Sequence, residues 1–106
     1  MILGIGCDIV EIKRVDLKIA NKILTEKELA VYKTFQGHRA QEYLASRFCA
    51  KEAIFKALPV NNILISQIEI LNDENHKLYC NIEGYKISIS IAHEKDYAIS
   101  YAICED

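Results

Sequence analysis

The stretch from His38 to Leu58, HRAQEYLASRFCAKEAIFKAL, followed at once by Pro59, decides the fold. It contains no Gly or Pro, is rich in good helix formers, and meets a residue that cannot continue a helix, so one long helix is predicted over 38–58. Beyond Pro59 the period changes. Ile65–Leu71 and Lys77–Ile82 read as strands joined by a turn at Asn72-Asp73-Glu74-Asn75. Tyr85–Ala92 and Asp96–Cys104 read as two more, with His93-Glu94-Lys95 between them. Before the long helix, residues 2–12, ILGIGCDIVEI, alternate Leu3, Ile5, Cys7 and Ile9 with Gly4, Gly6, Asp8 and Val10, the pattern of a strand. Residues 13–23 suit a short helix with Val15, Ile19 and Ile23 on one side. Thr25 and Glu28 fit a capping box and Leu24 and Leu29 its hydrophobic staple, so a further helix starts near Glu26 and stops by Gly37. Helices grouped in the middle and strands grouped after them predict an α+β fold, a mainly antiparallel sheet packed against the long helix.

The chain of 106 residues suffices for one domain, taken as 1–106. A domain this small buries a modest share of its surface, and association with copies of itself would stabilise it. No apolar run reaches the roughly 18 residues needed to span a bilayer. The N-terminal MILGIGCDIVEIKR has no basic segment before its apolar run and no small-residue cleavage site, so it is expected to be structure and not a signal peptide. Cys7, Cys49, Cys80 and Cys104 form no C-x-x-C pair or zinc-finger spacing, and reduced thiols in the cytoplasm are expected. The net charge of −2 hides a basic segment: residues 13–39 carry +4 and the remainder −6. That asymmetry suggests a local partner of negative charge and argues against general nucleic-acid binding.

Asp8 and Glu52 are the informative carboxylates. Asp8 lies inside an apolar strand beside Gly4 and Gly6, which leave room for close approach to the backbone; an exposed edge-strand Asp next to a bulge is the alternative. Glu52 shares a helix stripe with Leu44, Phe48 and Phe55, where a carboxylate needs a partner or a cation; a plain helix pair with Lys56 is the alternative. Together the two suggest Mg²⁺, which takes one or two protein carboxylates and completes its shell with water and substrate phosphates. Arg47, Lys51 and Lys56 on the same helix are candidates to hold those phosphates. His93 ends a strand in which Ser88 and Ser90 alternate, a polar face suited to phosphate; a merely exposed turn histidine is the alternative, and His38 and His76 read as surface residues. The chain has no phosphate-binding glycine loop or dinucleotide fingerprint. Arg14, Lys18 and Lys22, four apart, would form one basic stripe on a helix, with a plain solvated face as the alternative to a docking surface.

Three segments in order carry a resemblance: Gly4-Ile5-Gly6-Cys7-Asp8-Ile9-Val10-Glu11-Ile12, Arg47-Phe48-Cys49-Ala50-Lys51-Glu52-Ala53-Ile54-Phe55-Lys56-Ala57-Leu58, and Ser90-Ile91-Ala92-His93-Glu94. With Leu24–Glu28 and Ile68–Ile70 they cover nearly the whole chain, and the chain resembles the holo-acyl-carrier-protein synthase family of 4′-phosphopantetheinyl transferases. The resemblance implies a Mg²⁺-dependent transfer of 4′-phosphopantetheine from coenzyme A to a serine of acyl carrier protein, in fatty acid biosynthesis. It further implies a homotrimer with coenzyme A bound between protomers. Asp8 and Glu52 correspond to the metal ligands, Lys56 and His93 to residues at the coenzyme A phosphates, and Arg14 to an arginine that meets the carrier protein. Glu52 and Lys56 are thereby the expected catalytic residues, and Arg47, Lys51, Lys56, Ser90 and His93 the expected coenzyme A contacts. Two departures stand out: Ala92 replaces a frequent serine before the histidine, and Pro59-Val60-Asn61-Asn62 replaces a frequent glycine-rich loop. The chain is also shorter than usual before the last strands.

Overall fold

A computed structural model describes all residues, 1–106. Strand β1 (Ile2–Glu11) leads through two short 3₁₀ turns (Ile12–Arg14 and Leu17–Ile19) into helices α1 (Ala20–Ile23), α2 (Glu26–Tyr32) and α3 (Gly37–Ala57). A third 3₁₀ turn (Ile65–Gln67) precedes strands β2 (Leu71–Asn72), β3 (Leu78–Tyr79), β4 (Asn81–Ile82), β5 (Tyr85–His93) and β6 (Tyr97–Glu105). The main sheet has the order β1-β6-β5-β4 and is antiparallel throughout, and β2 and β3 form a separate two-stranded ribbon. Helix α3 packs across β1 and β6, which makes the fold α+β.

Local chemistry explains the boundaries. Gly37 opens α3 at φ +57°, a conformation that glycine adopts without a Cβ clash. Leu58 closes it in an extended conformation, as expected before Pro59. The capping box of α2 forms: Thr25 Oγ1 accepts from Glu28 N–H, and Glu28 Oε1 accepts from Thr25 N–H.

Three expected elements differ. Residues 13–23 are not one helix, because Val15 and Asp16 are extended and the Asp16 carboxylate caps Lys18 N–H at 2.9 Å, as a short polar side chain does at a helix start. Arg14 therefore lies on a separate turn from Lys18 and Lys22, and the single basic stripe does not form. Ile65–Leu71 is a 3₁₀ turn followed by an extended segment, and only Leu71 enters a ladder. Ile68 and Ile70 are fully buried there, and their backbone groups bond to side chains: Lys51 donates to Ile68 O, and Ile70 N–H donates to Glu28. Lys77–Ile82 divides at buried Cys80, where the chain leaves β2 as partner and joins β5.

The pleat sorts β1 into two faces. Gly4, Gly6 and Asp8 face α3, while Leu3, Ile5, Cys7 and Ile9 face outward. A Cβ at Gly4 would overlap the carbonyl of Ala57, and one at Gly6 the carbonyl of Ala53. Backbone therefore packs on backbone between β1 and α3. Gly6→Ala should cost at least about 1–3 kcal/mol, the usual range for overpacking, and should lower activity by moving Asp8. A denaturation midpoint and an activity assay check both, and a wild-type midpoint would show that strand and helix can separate freely.

Candidate active site

Asp8 follows the two glycines on the helix-facing side of β1, at the level of the last turns of α3. Lys56 Nζ donates to Asp8 Oδ1 and to the Cys7 carbonyl, at 3.1 Å each. The Cys49 thiol donates to the Asp8 carbonyl oxygen at 3.2 Å, and burial together with the Asp8 charge pushes it up to about 12. Glu52 is half-buried one turn before Lys56. Burial and then the Asp8 charge raise its carboxyl above the usual carboxylate range, with Lys56 pulling it back. Lys56 is itself held above the ordinary lysine range by its bond to Asp8. Asp8, Glu52 and Lys56 thus converge. Two hard carboxylate donors, one of which raises the proton affinity of the other, suit a small divalent cation that also keeps water and phosphate ligands. No cluster of three or more His, Cys, Asp and Glu side chains accompanies them.

A second feature lies along the same helix. A pocket of about 280 Å³ is lined by Arg39, Tyr43, Arg47, Asn72, Ile91 and His93, among others. The Arg47 guanidinium lies 4.6 Å from the centre of the Tyr43 ring and donates to Asn72 Oδ1 at 2.9 Å, leaving its buried Nε–H without a partner. A cationic, stacked guanidinium with an orphan donor is suited to an anion. His93 Nδ1 stands 3.5 Å from Glu42 Oε2, which also faces His38, while Glu42 Oε1 faces Arg39.

One expected contact is corrected. Lys51 does not face a ligand: it is fully buried, and its ammonium donates to Glu28, Ile23 O and Ile68 O, which uses all its hydrogens. One residue along a helix is a rotation of about 100°, which carries Lys51 from the Glu52 face into the core. Ser90 is not beside His93, because the pleat puts it with Ser88 and Ala92 on the outer face while Ile91 and His93 share the helix side. Arg14 is exposed and pairs with Glu11 at 2.9 Å. Lys18 and Lys22 are exposed further along the same segment. Glu42 and Asn72, which meet His93 and Arg47, belong to no motif in the sequence. The His38 and Arg39 spacing to Glu42 is readable as helix pairing, but nothing local announces its approach to His93 at the end of β5.

The profile of the 4′-phosphopantetheinyl transferase superfamily matches residues 4–102. The holo-[acyl-carrier-protein] synthase of Geobacillus sp. (strain WCH70) is 40% identical, covering 99% of this chain and 98% of that protein. That of Petrotoga mobilis is also 40% identical, over 100% of this chain and 98% of its own. The crystal structure of the Bacillus anthracis holo-(acyl-carrier-protein) synthase in complex with CoA (3′,5′-ADP) superposes with a TM-score of 0.89 at 36% identity, covering 99% and 97% of the two chains. Family profile, full-length relatives and fold agree: the chain belongs to the 4′-phosphopantetheinyl transferase superfamily.

Proposed function

We propose that this protein is one catalytic domain that transfers 4′-phosphopantetheine from coenzyme A to a serine of apo acyl carrier protein, releasing adenosine 3′,5′-bisphosphate, as a step of fatty acid biosynthesis. The convergence of Asp8, Glu52 and Lys56 carries the reading, and the activity named for the relatives supports it. The serine Oγ forms a bond to the β-phosphorus of coenzyme A as the bond from that phosphorus to the bridging oxygen breaks. The serine proton passes to Glu52, and the bridging oxygen leaves with the nucleotide. Asp8 and Glu52 would hold Mg²⁺, which when bound supplies neutralisation of the charge developing on the pyrophosphate. Lys56 adds positive charge there, and Arg47 and His93 hold the remaining phosphate in their pocket. The enzyme contributes no covalent nucleophile, so rate comes from positioning and electrostatics. Incubation with apo carrier protein, coenzyme A and Mg²⁺, read by intact mass, tests the reading; an unmodified carrier protein overturns it.

The working form is a homotrimer. The outer face of the sheet supports this: Ile5, Ile9 and Tyr101 are 65%, 63% and 53% exposed, with Leu3 and Tyr97 beside them. An apolar sheet face of this kind calls for a covering partner, and copies of the same chain supply one. Sedimentation at micromolar concentration should give the mass of three chains; an active monomer would exclude a site shared between protomers. The reduced state of all four cysteines fits a cytoplasmic enzyme, and no helix is long and apolar enough to cross a membrane.

The carrier protein docks on the basic segment of Arg14, Lys18 and Lys22. They act as separate exposed charges on neighbouring turns, beside a groove that Ile9, Val15, Ile19 and Phe48 line with Arg14. Exposed complementary charge mainly raises the association rate. Arg14→Glu with Lys18→Glu should raise the KM for carrier protein and leave that for coenzyme A unchanged. Added salt should do the same to the wild type, since exposed charges are screened beyond about 8 Å at physiological ionic strength. An unchanged carrier-protein KM would move the docking surface elsewhere.

A further inference from the structure

The Lys56 ammonium stands against Asp8, one of the two carboxylates assigned above to a metal ion. It lies 3.1 Å from Asp8 Oδ1 and 3.1 Å from the Cys7 carbonyl, so two of its three donors are spent on β1. Its side chain is half exposed. Glu52, the second carboxylate, faces the same charges from the preceding turn. Two neighbouring carboxylates repel each other, and the ammonium offsets that repulsion. An ammonium and a divalent cation cannot share one carboxylate at contact distance without strong repulsion of their own.

We propose that Lys56 is the resident counter-ion of Asp8 in the metal-free enzyme, and that a divalent cation binds by displacing its ammonium. The displaced ammonium is then free to meet the substrate phosphates, so that metal binding and arming of the lysine are one event. This rests on Asp8 and Glu52 being the metal pair. Binding is also ordered by it: phosphate that arrives before the metal finds Lys56 engaged.

The test measures metal uptake without coenzyme A. Mn²⁺ titration, read by the electron paramagnetic resonance of free Mn²⁺, compares wild type with Lys56→Met, and the variant should bind about fivefold more tightly, as loss of a partly exposed charge contact allows. Proton–nitrogen correlation of the lysine ammonium groups follows displacement directly. Lys51, buried and fully bonded, is the internal reference. Adding Mg²⁺ should abolish or shift the Lys56 signal and leave that of Lys51 in place. Equal Mn²⁺ affinity in the two proteins, or a Lys56 signal that persists while metal binds, overturns displacement alone. Failure of both proteins to take up Mn²⁺ overturns the metal pair, and displacement with it.

Discussion

Glu28→Ala should destabilise the fold by about 3–5 kcal/mol, the range for breaking a buried ion pair from one side. Glu28 is fully buried at the third position of α2. Its Oε1 accepts from Lys51 Nζ at 2.6 Å and from Thr25 N–H at 2.9 Å, and its Oε2 accepts from Ile70 N–H at 2.8 Å. Lys51, equally buried, bonds onward to Ile23 O and Ile68 O. The pair thus ties α1, α2, α3 and the segment before β2 at one point. Alanine would leave the ammonium, already depressed by burial, with only carbonyl partners. A domain of this size has about 5–15 kcal/mol in total, so the variant should be near its limit, and Glu28→Gln provides a milder version. Denaturant unfolding measures the loss. Glu28→Ala with Lys51→Met should recover part of it, because no buried charge then remains. A Glu28→Ala midpoint close to wild type would show that the pair holds nothing together.

The second large effect falls on catalysis and spares the fold. Asp8→Asn should lower transfer about a hundredfold or more, the scale of removing one preorganised electrostatic group, and chelation of Mg²⁺ should match it. Stability should change little, because the Lys56 end of the Asp8–Lys56 pair is half exposed, which keeps the contact weak. Its pH dependence should change in a defined sense. Burial and Asp8 raise the folded-state pKa of Glu52, so above the ordinary carboxylate pKa the native state binds more protons than the unfolded one. Stability from this group is therefore present at low pH and lost as pH rises through the raised value. Asparagine removes one cause of the shift, so that loss should shrink. Full activity of Asp8→Asn with metal present would remove Asp8 from the metal pair.

The particular residues show what a sequence can express. The glycines beside Asp8 and the helix spacing of Glu52 and Lys56 are local patterns, and they pointed at three side chains that the fold brings together. Thr25 and Glu28 were legible as a capping box, also a local device. The larger role of Glu28 depends on Lys51, which lies 23 residues away. No short-range period encodes that pairing, and Lys51 next to Glu52 in the chain read as a ligand. The separation of Ser90 from His93 is local as well, because a period of two puts residues three apart on opposite faces. The expected strand at 65–71 failed because side chains, not a neighbouring strand, satisfy its backbone. The helix expected at 13–23 yielded to one aspartate cap.

The contact of Gly4 and Gly6 with the carbonyls of Ala57 and Ala53 has a consequence for how the enzyme can vary. The gap across which Asp8 reaches Glu52 is set by main-chain atoms, whose size no substitution alters. Core residues elsewhere can be exchanged and repacked, and the outward side chains of β1 can change with whatever they touch, while that gap keeps its width. The reacting geometry is thereby uncoupled from drift in the rest of the sequence, provided two positions stay without a side chain.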